Sequence, residues 1–122
     1  MAFTHQIDQV NQRLLVHVTG AVTFQEIVAH LQDESRDGAL GYPELVDARE
    51  ATAAFNAAEV RHIVALLEQM ARSSRLGPTA VVVADDVTYG MIRMMGILVE
   101  LTCEIQPFRD IESAERWLGW RN

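Results

Sequence analysis

Apolar positions along the chain switch between a two-residue and a 3.6-residue period, and each switch falls at turn residues. Thr4 to Val10 alternates loosely up to Asn11-Gln12, and Arg13 to Thr19 then reads RLLVHVT. In that run Leu14, Val16 and Val18 share one face while Leu15, His17 and Thr19 share the other, which predicts two antiparallel strands, the second stopping at Gly20. Thr23 stands before FQEIVAHLQDES, where Phe24, Ile27, Val28 and Leu31 recur at helical spacing. Glu26 lies three residues after Thr23, the pattern of a capping box, so a helix is expected from there to about Asp37-Gly38. The loop GALGYPE leads to a short apolar strand, Leu45 to Ala48. Asn56 is placed to cap a second helix whose Val60, Ile63, Val64, Leu67 and Met70 form one stripe. Gly77-Pro78 resets the backbone before Thr79 to Ala84, a run apolar on both faces and so expected as a strand covered from both sides. Asp86 or Thr88 is positioned to cap a third helix, from about Val87 to Leu101. A strand from Glu104 to Phe108 follows, confined to a sheet edge because Pro107 cannot donate to a ladder, and a helix from Ile111 to Leu118 closes the chain. The order ββαβαβαβα predicts an α/β fold with a mixed five-stranded sheet covered by helices.

The 122 residues, 49% of them apolar, suffice for one core, and a single domain over 1–122 is expected. No run approaches the roughly 18 apolar residues of a membrane span, and the N-terminal MAFTHQIDQV lacks the basic and apolar segments of a signal peptide. A soluble, cytoplasmic protein is therefore expected. Seventeen acidic residues against ten arginines and no lysine give a formal charge of −7, which repels nucleic acid and an anionic bilayer surface. With Cys103 as the only cysteine, no internal disulfide can form.

Candidate chemistry is sparse. Asp47, Arg49, Asp85 and Asp86 fall where two strands should end, the place where ligands gather in open α/β sheets. The competing local account makes Asp86 a helix cap, Asp85 a turn residue and Arg49 the partner of Asp47. The four histidines show no paired ligand spacing. Glu26, His30 and Asp33 share one helix face, and Glu59 with His62 makes a single ExxH, so both groups read as solvated helix flanks. His17 reads as a hydrogen-bonded or exposed residue. Phosphate-binding glycine motifs and a nucleophile elbow are missing, and Cys103 reads as a buried, inert thiol. Neither a metal nor a cofactor is expected. The third helix is unusual in carrying Tyr89, Met91, Met94, Met95 and Leu98 with only Arg93 and Glu100 as charges after Tyr89. Such a helix is sunk in the core, or else it offers adaptable apolar surface to a second subunit or a small ligand.

The element order and several short motifs resemble the SpoIIAA-like family of bacterial STAS-like domains. The motifs are the helix entry at Val18, Gly20 and Thr23, the strand Leu45-Val46-Asp47, and the terminal set Phe108, Asp110, Ala114, Trp117 and Leu118. These are packing and turn motifs, so the resemblance implies fold more directly than function. In the anti-sigma antagonists a serine at the start of the helix after the third strand accepts a phosphate. The matching stretch here, Phe55 to Val60, holds neither serine nor threonine, and Asn56 stands at the cap. The resemblance also extends, as an analogy of chain path, to CRAL-TRIO domains, which implies an apolar ligand cleft.

Together these features favour a non-catalytic regulatory module that works by protein association, expected as a homodimer through the methionine-rich helix. The alternative is a carrier or sensor of a small apolar molecule held between that helix and the sheet. A third reading, an enzyme using Asp47, Arg49 and Asp85, has least to support it.

Overall fold

A computed structural model describes residues 3–121. The elements are β1 (Phe3–Asp8), β2 (Arg13–Val22), α1 (Phe24–Arg36), β3 (Glu44–Ala53), α2 (Ala57–Met70), β4 (Thr79–Val83), α3 (Asp86–Leu98), β5 (Ile105–Phe108) and α4 (Ile111–Trp117). They form one five-stranded sheet in the order β1-β2-β3-β4-β5, with β1 antiparallel to β2 and every other pair parallel. The fold is thus the mixed α/β arrangement that the periodicities call for, with the Pro107 strand at an edge.

Strands alternate faces, and that alternation assigns the helices to layers. Val81 and Val83 of β4 join Val16, Val18 and Val46 on one face, and Ala80 and Val82 join Leu45 on the other. The first face is covered by α1 and α3, with α2 packed between them through Val60, Ile63, Val64 and Leu67. The second face is covered by α4, where Ala114 is fully buried and Phe108 lies 5.6 Å from Trp117, ring centre to ring centre.

Four boundaries differ from the sequence expectation. β2 continues through Gly20 to Val22, and β3 continues past Ala48 to Ala53. His17 pairs with Asp47 but Thr19 pairs with Glu50, so β3 accommodates one extra residue in a bulge, and pairing resumes at Thr19 and continues through the positive-φ Gly20. Small residues that look like loop in one dimension are thereby strand, with Ala51 buried. α3 is capped by Asp85, whose carboxylate accepts from Thr88 N–H at 2.9 Å, not by Asp86 or Thr88. Thr88 is instead buried, its hydroxyl accepting from Ala53 N–H at 3.2 Å. That helix also stops at Leu98.

Candidate functional site

The site begins with the start of α1. Thr23 accepts from Glu26 N–H, and the Glu26 carboxylate accepts from Thr23 N–H at 2.9 Å, closing the expected capping box. From that start the helical period carries Ile27, His30, Leu31 and Glu34 round to the sheet, since residues three and four apart share a face. Glu44, the first residue of β3, and Thr79, the first of β4, are paired opposite each other across the ladder. The four polar side chains meet in the interior. His30 Nε2 lies 3.1 Å from Glu44 Oε2 and 3.4 Å from Glu34 Oε1, and Thr79 Oγ1 donates to Glu44 Oε1 at 3.0 Å. The Phe3 ring stacks on the imidazole with centroids 4.5 Å apart. His30, Glu34 and Glu44 are 7%, 3% and 8% exposed, which places the whole cluster out of bulk water.

Burial on this scale penalises every charge, so protons must be shared out. Burial draws the imidazole of His30 down, but hydrogen bonds and charge from Glu34 and Glu44 outweigh it and raise its pKa well above the ordinary value. Burial and the neighbouring Glu44 carboxylate push Glu34 up. Glu44 is also penalised by burial, yet its bonds with His30, Glu34 and Thr79 hold it below the usual carboxylate range. The directions favour protons on His30 and Glu34 and leave Glu44 as the member of the cluster that most readily stays ionised. No buried side-chain nitrogen or oxygen among the described residues lacks a partner.

This cluster forms one end of a cavity of about 150 Å³ between the sheet and the α1–α3 layer. Its remaining wall is almost wholly apolar, with Val18, Val46 and Val81 on the sheet side and Ile27, Ile63 and Ile92 on the helix side.

The residues singled out from sequence occupy other places. Arg49 donates to both oxygens of Asp47 at 2.9 Å on the surface, and this partner holds the Asp47 carboxyl below its ordinary value. Asp85 caps α3, and Asp86 pairs with Arg109 at 2.7 Å. The strand-end acids are therefore each engaged locally and are not brought into one constellation. On α3, Met95 lines the cavity, Met91 and Met94 are half-buried against the α2 cluster, and Tyr89 lies 4.3 Å beneath the Arg109 guanidinium. Leu98 points to solvent. His17 is exposed and bonded to Glu50 at 3.2 Å, and burial pushes the half-buried Cys103 thiol up.

The reading of His30 as part of a solvated flank is overturned, because His30 continues the buried face of α1 rather than its outer side. The signal for it was present: Ile27, Leu31 and Glu34 follow the i, i+4, i+7 spacing of a core stripe, so Glu34 occupies a core position and His30 stands beside it. Among the described residues, His30, Glu34 and Glu44 are also the one group whose ligand atoms, an imidazole nitrogen and two carboxylate oxygens, all lie within 4.8 Å of one another.

The chain is similar over 96% of its length to the crystal structure of an uncharacterized protein of the DUF3478 family with a SpoIIAA-like fold, from Shewanella loihica PV-4. The likeness covers 92% of that chain, with a TM-score of 0.56 and 18% sequence identity. The fold is accordingly SpoIIAA-like, the class that the sequence motifs resemble. No protein-family model and no curated protein matches the sequence. Among the described residues, no helix is long and apolar enough to cross a membrane.

Proposed function

We propose that this chain is a non-catalytic STAS-like regulatory module, working in the cytoplasm, that senses or carries a small apolar molecule held in its interior. The observation that carries this reading is the cavity of about 150 Å³, mostly apolar along its walls, with its imidazole and carboxyl groups gathered at the His30 cluster. A dry cavity of about that volume takes a molecule the size of benzene, so the ligand class is a single-ring or short-chain compound. One hydrogen-bonding group on it would be met by the His30, Glu34 and Glu44 cluster. Of the earlier alternatives, the ligand reading thus gains most, and the ligand lies against Ile92 and Met95 of α3 rather than against the outer face of that helix.

The test is native mass spectrometry of the purified chain, together with its thermal midpoint in the presence of indole and toluene. The expected outcome is a co-purified small mass, or a rise in midpoint with one of these probes. Ala48→Leu, which adds bulk to the cavity wall, should remove either response while the chain stays folded. No bound mass together with no response to either probe, or a response that Ala48→Leu leaves intact, overturns the reading.

A second reading is association of two copies through the end of α3. It is favoured by a run of exposed apolar residues, with Ile97 59%, Leu98 45% and Leu101 100% accessible.

A further inference from the structure

Three ionisable side chains buried together next to an apolar cavity form a costly arrangement, since each charged group loses several kcal/mol of hydration. Thr79 and Phe3 add to the preorganisation. The hydroxyl holds one Glu44 oxygen and leaves the other for His30, and the stacked ring fixes the imidazole plane. Such outer partners, which orient a histidine and a carboxylate toward a common point, are what metal ligands have around them.

Distances add a second argument. With metal–ligand bonds of about 2.0–2.2 Å, neighbouring ligand atoms in a tetrahedral or octahedral shell stand about 3.0–3.5 Å apart. His30 Nε2 stands 3.1 Å from Glu44 Oε2 and 3.4 Å from Glu34 Oε1, two of the three edges of such a shell, and the ligand atoms all lie within 4.8 Å of one another. An ion would have to displace the protons that His30 and Glu34 hold, after which a neutral imidazole with two carboxylates sums to −2 and balances a divalent charge. An imidazole nitrogen with two carboxylate oxygens and no thiolate suits a divalent first-row ion better than copper(I), and the nitrogen disfavours calcium or magnesium.

We propose that His30, Glu34 and Glu44 are the ligands of a divalent transition-metal ion, of the zinc type, with Thr79 and Phe3 as positioning residues. His30 and Glu34 reach it from one face of α1 at i, i+4 spacing, and Glu44 reaches it from the start of β3. Three protein ligands leave a coordination position, and because all three residues also line the cavity, that position faces the cavity. A cavity ligand bearing an oxygen or nitrogen donor would complete the shell; this clause alone rests on the ligand reading above.

The test uses the whole chain, stripped with a chelator, desalted and titrated with Zn²⁺, with Co²⁺ as an optical probe. Expected are one ion per chain, a higher thermal midpoint, and an anomalous scattering peak between His30, Glu34 and Glu44 in zinc-loaded crystals of the unaltered protein. Glu34→Gln, which keeps the side-chain shape, should weaken binding at least about tenfold. His17→Gln, on an exposed histidine, should leave it unchanged. Absence of binding, an anomalous peak elsewhere, or full binding by Glu34→Gln overturns the site. Should Glu34→Gln fail to fold, the map of the unaltered chain decides alone. Loss of the zinc result with indole or toluene binding intact sinks only the metal site, and the converse sinks only the ligand reading.

Discussion

Glu44 opens β3 with its Oε2 3.1 Å from Nε2 of His30, a residue fourteen positions earlier on α1, and both side chains are buried. Removing one member leaves the others buried without their partner. Glu44→Ala is therefore expected to cost about 3–5 kcal/mol of stability. Replacing His30, Glu34 and Glu44 together by leucine removes all the desolvated charge, and should end within about 1 kcal/mol of the parent protein or above it. Urea unfolding of both variants at pH 7 in chelator checks this. A triple variant as weak as Glu44→Ala would mean that the cluster stabilises the fold in its own right.

The two glycines of α3 should respond in opposite directions. A Cβ at Gly96 would stand 2.2 Å from the carbonyl oxygen of Ile105 in β5, which is backbone and cannot swing aside, whereas a Cβ at Gly90 meets nothing within 4 Å. Gly96→Ala should lose about 1–3 kcal/mol. Gly90→Ala should gain about 0.5–1 kcal/mol from its better helix propensity. Thermal denaturation of the pair measures how closely α3 lies on β5, and equal effects would contradict that close approach.

Asp85 supplies a pH-dependent contribution. Its carboxylate accepts from the backbone and side chain of Thr88, which lowers its pKa from 3.8. A depressed folded-state value means that the stabilisation is complete above the unfolded value and is lost as pH falls through the folded one. Asp85→Ala should lower the thermal midpoint at pH 7, and the difference should close on acidification below about pH 4. A gap that persists at pH 2 would show that the cap acts through geometry rather than charge.

Association through α3 predicts that Leu98→Glu yields a monomer by light scattering while keeping its far-ultraviolet dichroism, since Leu98 is already 45% exposed. A folded variant with the same mass as the parent would place any interface elsewhere.

Much of the fold could be read in advance because the cues for it are local. Thr23 with Glu26, Asn56 with Glu59 and the alternation of Arg13 to Thr19 each report on their own neighbourhood. The boundaries that failed depend on partners distant in sequence: Ala51 is strand because it pairs with Gly20, and Thr88 is buried because Ala53 N–H reaches its hydroxyl. The candidate site failed for the same reason on a larger scale. His30 and Glu34 look like polar residues on an amphipathic helix until β3 and β4 bring Glu44 and Thr79 against them, whereas Asp47, Asp85 and Asp86 stand out at strand ends yet are taken up by Arg49, the start of α3 and Arg109.

The two sides of the sheet are unlike. β5 carries Pro107, which removes a backbone donor from one border, while β1 is a six-residue border with no proline. If a second copy ever joins this sheet, the join is between β1 and β1. Such a contact uses the same patch on both chains, so it closes at two and leaves nothing on which a longer assembly can grow.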